Sequence, residues 1–456
     1  MKRKFFAFIF LLTAGLSLSS CLSSDDNDNV EYTHDTAITA FSLGKLDKYA
    51  KTSVGNDTIL QAKIDGSSYK FYIDQTTHQI YNPDSLPKGA KTSAVLATIS
   101  SKNSSPILLM NEAGDSIKSY YSSSDSIDFS KPRYIRVYSN EGTAYVTYTV
   151  TVNVHQEEPD SFVWHSLASQ NAALASLQDV KAVSVNSSIY VFGTNGTQLK
   201  IYKTDNGANW NEVVPLQTLA PDAYKNIVVL DDVMYILSNG QVLKSEDASS
   251  WEVVSTDASL KMLMGASSKY LYALTVSGIS VSKDHGATWT PETLDTNAEY
   301  LPTQGLSLAY SSIRSTKNAE NLLLMGYRGT EYGDSIATIW THTVDYSTNV
   351  DAGLWNYLEL DKNQPHKMPM MDELQVAVGD SGYVALGSNQ QWYKSKDGGL
   401  TWRVDSLVSM PETFNGKMKF AFVKDSNNYY WVINGGNVWK GRFNREGWRK
   451  DQTIFD

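Results

Sequence analysis

The chain holds a single cysteine in 456 residues, Cys21. No disulfide can form within it, so a sequence of this length must be held by its core alone. Arginine is also scarce, nine in all, of which Arg3 lies at the N-terminus. The seven histidines are scattered, with no H-x-H or H-x-x-x-H spacing to hold a metal. No G-x-S-x-G occurs, so a nucleophile elbow is excluded. Nothing marks a cofactor site, and neither metal nor cofactor is expected. No apolar run reaches the roughly 18–20 residues that span a bilayer. Convincing helical periodicity is absent, whereas Tyr, Trp, Thr, Ser, Gly and Asn are plentiful, so the expected class is all-β. Positive charge is in deficit, with a formal net charge of −10. An acidic surface of this kind argues against nucleic acid, whose phosphates need a basic face.

What is present begins with Lys2, Arg3 and Lys4, followed by an apolar run from Phe5 to Leu12 and then Leu18-Ser19-Ser20-Cys21. A basic start, a short apolar stretch and small residues make a processed targeting segment, residues 1–20. The cysteine behind it resembles the bacterial lipobox, which implies lipid on the Cys21 thiol and a membrane partner through that lipid. Residues 21–33 read as a flexible acidic tether with Asp25, Asp26 and Asp28. The run resembles the export signal of Bacteroidetes lipoproteins, which implies an outer-membrane location facing outward, with the periplasmic face as the alternative. Loss of three positive charges with the leader takes the formal charge from −10 to −13.

Residues 34–155 form a first domain. It closes with two alternating strands around the turn Asn140-Glu141-Gly142. Shorter strands are expected at Tyr69–Ile73 and Ser93–Ile99, giving a β-sandwich of about 120 residues. In pattern and position it resembles the immunoglobulin-like modules at the front of Bacteroidetes surface lipoproteins. Residues 156–161, with Pro159, read as a linker.

From residue 162 to 456 an internal repeat emerges. Ser282 to Trp289 (S-K-D-H-G-A-T-W) and Ser395 to Trp402 (S-K-D-G-G-L-T-W) share S-x-D-x-G-x-T-W. Their fixed positions are Ser282, Asp284, Gly286, Thr288 and Trp289, and Ser395, Asp397, Gly399, Thr401 and Trp402. A third copy keeps Asp205, Gly207 and Trp210. A fourth, one residue short, keeps Ser245, Asp247 and Trp251. This resembles the Asp-box (BNR) repeat of sialidase-like propellers. The residues give it a structural role. The Asp accepts backbone N–H groups in a turn, the Gly takes a backbone angle that a Cβ would oppose, and the Trp buries a large ring between sheets.

Tryptophans 164, 210, 251, 289, 355, 402 and 448 each open a similar strand, at spacings of 46, 41, 38, 66, 47 and 46. Four strands in about 40–50 residues make one blade. The expected architecture is therefore an N-terminal β-sandwich followed by a six-bladed β-propeller. The strand at Trp164 either pairs with the last blade or opens a partial seventh, so seven blades are the alternative.

The repeat turns lie on one face of such a ring. Residues 216–225, 293–305, 361–373 and 406–417 lie on the other, with the insertion that packs Tyr327, Arg328, Glu331, Tyr332 and Asp334 together. Long loops on a rigid scaffold carry function, so these five are the candidate binding residues. The likeness to sialidases implies three arginines that clamp a carboxylate. The propeller offers only Arg314, Arg328, Arg403, Arg442, Arg445 and Arg449, none of them in its first three blades, and no R-I-P occurs. The resemblance thus covers scaffold and not site, and no catalytic residue is assigned. The leading expectation is a cell-surface lipoprotein whose propeller binds a glycan or a protein partner without catalysis. The alternatives are a glycoside hydrolase with an unrecognised site and an assembly factor for an outer-membrane complex.

Overall fold

The computed structural model describes residues 34–51, 58–313, 318–347, 354–360, 363–380 and 382–448. Cys21, the leader and the tether lie outside the described residues, as do Arg314 and Arg449. The chain divides into two units at Glu157 and Glu158.

The first unit is built on one six-stranded sheet. Its strands run in the order Tyr72–Asp74, Gln79–Tyr81, Tyr145–Thr151, Arg133–Tyr138, Ile107–Met110 and Ile117–Tyr120. The hairpin around Gly142 supplies its middle, with Tyr138 opposite Tyr145. Burial alternates along Arg133–Tyr138, so Ile135 and Val137 face inward. Two two-stranded ribbons accompany the sheet, Ile38–Leu43 with Ala97–Ser101, and Lys45–Lys51 with Thr58–Asp65. Ile38, Phe41 and Leu43 share one core with Ile80, Tyr148 and Val150 of the sheet. Two strands start later than their composition suggests. The Asp65 carboxylate accepts the Ser67 N–H and folds residues 66–68 into a 3-10 turn, which delays the next strand to Tyr72. Val95 makes only an isolated bridge to Ile127, so the strand after it begins at Ala97.

Among the described residues the second unit is a β-propeller of six sheets, each antiparallel through its first four strands. The first runs from Asp179–Val185 outward through Ser188–Thr194 and Leu199–Thr204 to Asn211–Glu212. The second, third and fifth repeat that order from inner strands Val228–Leu230, Leu260–Ala266 and Leu374–Gly379. The fourth is larger, with inner strands of nine residues, Gln304–Ser312 and Ala319–Tyr327. It also gains a fifth strand, since Thr293–Leu294 pairs in parallel with Leu354–Tyr357. The 66-residue spacing is thus taken up by longer strands and an extra edge as well as by a loop. The sixth sheet is made from both ends of the unit. Phe420–Lys424, Tyr430–Asn434 and Asn437–Phe443 form its inner three strands, and Phe162–Ala168 pairs with the last of these as the outer strand. Trp164 therefore sits in the sixth sheet. Trp448 opens no strand among the described residues. It follows a helical turn, Asn444–Gly447, because the outer place is already filled from the other end of the unit.

The inner strands touch in a ring: 179–185 meets 228–230, then 260–266, 304–312, 374–379 and 420–424, which returns to 179–185. A hydrophobic cluster fills each gap between neighbouring sheets. Phe192, Ile201, Ile236 and Trp251 join the first two, and Ala421, Trp431, Val191 and Tyr202 join the last to the first. The middle strands are buried on both faces, and successive residues enter opposite gaps: Tyr190 and Phe192 face the second sheet, Ile189 and Val191 the sixth.

Candidate functional site

Between the third and fourth strands of four sheets lies the repeated turn. In one full-length copy, Asp284 accepts the Thr288 N–H at 2.9 Å and the Thr288 hydroxyl at 2.6 Å, while the Ser282 hydroxyl donates to it at 2.8 Å. Ser282 Oγ in turn accepts the Gly286 N–H at 2.7 Å. The other full-length copy repeats the set with Asp397, Thr401, Ser395 and Gly399 at 2.6–2.9 Å. Burial pushes both carboxyls up, but the threonine and serine bonds outweigh it and hold them below 3.8. Trp402 is fully buried against Leu323 and Tyr327 of the preceding sheet, and its indole N–H donates to Gly399 O at 2.9 Å. Trp289 is only half-buried, at the edge of its cluster.

The two shorter copies follow one another and not the full motif. In the fourth copy Asp247 accepts from Ser249 and Ser250 N–H, and Ser245 Oγ accepts from Ala248 N–H. In the third copy the same bonds run from Ala208 and Asn209 N–H to Asn206, and from Gly207 N–H to Thr204 Oγ1. The turn residue of that copy is therefore Asn206 and not Asp205, which instead accepts the Ser188 hydroxyl at 2.5 Å. Backbone angles explain the length difference. The short turns need one left-handed residue, Gly207 (φ 78°) or Ala248 (φ 65°). The long ones need two in succession, His285 and Gly286 (58° and 92°) or Gly398 and Gly399 (75° and 97°). A Cβ on Gly399 would also lie 2.5 Å from Leu323 Cδ1.

On the opposite face, the insertion after Ala319–Tyr327 is a clipped loop. Arg328 donates from Nε and an Nη to Asp334 at 2.6 Å each, with both side chains largely buried. Its guanidinium lies between the rings of Tyr332 (4.4 Å) and Tyr300 (4.8 Å). The Asp334 bond holds the Arg328 pKa above its ordinary value. Glu331 and Tyr332 face solvent on a 3-10 turn, Thr330–Tyr332. Tyr327 does not belong to an exposed set. It is 3% exposed, closes its strand inside the core, and its hydroxyl donates to Pro369 O and accepts the Met371 N–H. Burial drives its phenol pKa far up.

This face also opens into the axis of the ring. A mouth cavity of about 680 Å³ is lined by Lys181, Tyr224, Met262, Gln304, Met370 and Lys419 among others. It continues into a channel of about 440 Å³ along the inner strands, lined by Val228, Met264, Leu308, Ala377 and Phe422. Burial depresses the Lys181 ammonium pKa to about 8. The ion pair of Lys419 with Glu373 lies at the rim, and Asp179 accepts the Tyr224 hydroxyl at 2.7 Å. Exposed aliphatic and thioether side chains also lie on loops of this face, Val276 (69%), Met418 (40%) and Met370 (39%), whereas Leu216 (82%) sits beside the repeated turn of the second sheet, its N–H donating to Ser249 O at 2.9 Å. Tyr332 and Tyr310 are the exposed aromatics among the described residues of this unit. Lys181 and this rim were not singled out from sequence. The one signal available was the M-P-M-M run of Met368, Pro369, Met370 and Met371, within a segment already placed on this face.

The arginines do not gather. Arg328 is clipped to Asp334, Arg403 opens a short outer strand, and Arg442 covers the Tyr429 ring at 4.2 Å. Arg445 is paired with Asp160 and Asp380. None of these four lines the mouth or the channel. Among the described residues no group of three or more His, Cys, Asp or Glu side chains is placed to hold a metal ion.

Residues 158–451 match the family model described as DUF6242 beta propeller domain. Residues 41–152 match the domain of unknown function (DUF6242) N-terminal domain. No curated protein matches the chain. Among solved structures it is similar to YCF48 from Cyanidioschyzon merolae, at 16% identity over 61% of this chain and 98% of that one, with a TM-score of 0.32. It is also similar to a xyloglucanase from Xanthomonas campestris (13%, 71% and 52%, TM-score 0.36). A third is the Aleuria aurantia lectin in complex with alpha-methyl-L-fucoside (10%, 57% and 89%, TM-score 0.34). None of these likenesses bears on the chemistry of the channel.

Proposed function

The chain belongs to the DUF6242 family, and from that premise we propose that it is a non-catalytic, protein-binding propeller displayed on a bacterial cell surface. The observation that carries the reading is the rim of the channel mouth. Val276, Met370 and Met418 expose apolar side chains on this face, and Met370 lines the mouth together with Lys181 and Lys419. Such side chains suit a protein surface, which offers apolar relief and can be packed against by adaptable thioethers. Sugar rings are held by flat exposed aromatics. Tyr332 is the exposed ring of this rim, and one side of it is taken by Arg328. Catalysis is not favoured, since of the three carboxylates lining the mouth Glu373 and Asp179 are engaged by Lys419 and Tyr224, which leaves Asp372 without a second free carboxylate to pair with.

The remainder of the proposal rests on sequence. The repeated turns are Asp-boxes of the BNR kind and act as scaffold. Lipid on Cys21 anchors the chain, and the acidic run behind it directs display on the outer face of the outer membrane in a member of the Bacteroidetes. Two experiments test the reading. Cys21→Ala should move the protein from the detergent phase to the aqueous phase, and a variant that stays with the membrane sinks the anchor. Captured surface-protein partners should be lost by Val276→Ser/Met370→Ser/Met418→Ser and kept by Asp284→Ala. A glycan-panel signal unchanged by the rim variant would defeat the protein-binding reading.

A further inference from the structure

At the junction of mouth and channel the lumen is shared by four residues, Lys181, Leu306, Ser307 and Gln375, which line both cavities. Lys181 is the one charged group at this point. Its Nζ donates to Lys225 O at 3.1 Å, which uses one of three N–H donors. No carboxylate of the described residues pairs with it. Asp179, two residues away, is engaged by the Tyr224 hydroxyl and by the Val180 N–H at 2.8 Å. The other channel lysine, Lys424, is paired with Glu446 at 2.9 Å, and Lys419 at the rim with Glu373. The Gln375 amide is taken up by Phe420 O and Phe422 N–H of the neighbouring inner strand, so it does not serve Lys181 either.

Lys181 is half-buried and lines the lumen without a counter-charge, at a place that a methionine or leucine would fill without desolvating an ammonium. We propose that Lys181 is the anchor for a carboxylate that a ligand brings into the channel, the ammonium meeting its oxygens at the junction of the two cavities. The inference rests on the reading of this mouth as the binding face and names the group recognised there. A carboxylate matches the one charge at the junction, since Lys225 lines only the mouth, with its ammonium over the Tyr224 ring at 5.7 Å. Desolvation of Lys181 belongs to the same picture, because it is relieved when an anion arrives.

The test follows the lysine itself. Full-length protein carrying 13C at the lysine ε-carbon is titrated by NMR with propionate, with its neutral isostere propionamide, and with inorganic phosphate. The Lys181 signal is identified by its loss in Lys181→Met, whose far-ultraviolet spectrum and melting show that it folds. Propionate should shift that signal and raise its titration midpoint from about 8 toward 10.5. Propionamide should leave it in place, and phosphate should act more weakly than propionate. A signal unmoved by propionate, or moved equally by propionamide, overturns the proposal. So does a stronger response to phosphate. A tetra-alanine peptide with a free C-terminus, set against its amide, separates the sources of the group. A midpoint at least tenfold below that of propionate places the carboxylate on a chain, and an equal midpoint places it on a small acid. If propionate has no effect while the rim variant still loses its partners, the anchor falls and the protein-binding reading stands.

Discussion

Asn206 and Asp205 sit side by side, and only one shapes the turn. Asn206 accepts two backbone N–H groups, so Asn206→Ala should cost about 1–2 kcal/mol, the penalty for leaving such groups unpaired. Asn206→Asp should be neutral or stabilising, since Asp247 fills that place in the next sheet. Urea melts of the three proteins would decide it, and equal loss in both variants would refute the assignment. Sequence pointed to Asp205 because Asp and Asn serve this turn equally well, and the eye follows the motif letter. Tyr327 was misplaced for a related reason. It stands at the head of a polar run, and nothing local marks that the strand ends on it. Tyr327→Ala should cost about 3–5 kcal/mol, as deletion of a buried ring does. Tyr327→Phe should cost about 1 kcal/mol for its two hydrogen bonds. Thermal melting of both variants is the check, and a native-like melt for the alanine variant would contradict the burial. Acid provides a third prediction. Bonds from the Ser250 N–H and the Ser249 hydroxyl, foremost among several, lower Asp247 from 3.8 to about 2. A lowered carboxyl contributes stability above 3.8 and loses it as pH falls through its folded value. The melting gap between wild type and Asp247→Ala should therefore narrow from pH 5 to pH 2. A constant gap would mean that the charge is not what holds the turn.

Among the elements, the fourth sheet shows how a long interval can mislead. The excess over its neighbours was legible as an insertion, yet much of it is strand, because pairs such as Leu322 with His342 continue the ladder well past the usual length. The loop that remains is fixed by one ion pair, between residues six apart. Half-buried bidentate pairs of this kind are stronger than exposed ones. Asp334→Asn should leave the global melt within a few degrees and raise amide exchange selectively at residues 329–335. Unchanged exchange there would show that backbone turns alone hold the loop. Lys181 was illegible at this scale. The strand D-V-K-A-V-S-V alternates like any half-exposed strand, and a lysine in it reads as solvent-facing. Only closure of the ring turns that outer-looking face into the wall of a lumen.

For the molecule as a whole, the all-β class, the propeller and a separate front domain were readable from repeats and composition, because each sheet is a local unit of about 40 residues. What joins first to last was open, since pairing of Phe162–Ala168 with Asn437–Phe443 leaves no local mark. A permuted propeller makes the point testable. If the unit starts near residue 170 and Phe162–Ala168 is attached after Phe443 by a short turn, the closing strand becomes an ordinary hairpin partner. That protein should melt as cooperatively as the natural order, whereas deletion of Phe162–Ala168 should abolish the single transition. A deletion that still melts in one step would mean that the ring does not depend on this strand. The same strand sets a clock on assembly. Gln170, just beyond it, bonds to Asn437, 267 residues further along. At ribosomal speeds of about 5–20 residues per second, the closing strand waits on the order of tens of seconds for its partner to be made. During that interval it is an unpaired apolar edge, open to the same strand of another nascent chain, so crowding on one message would favour exchanged dimers.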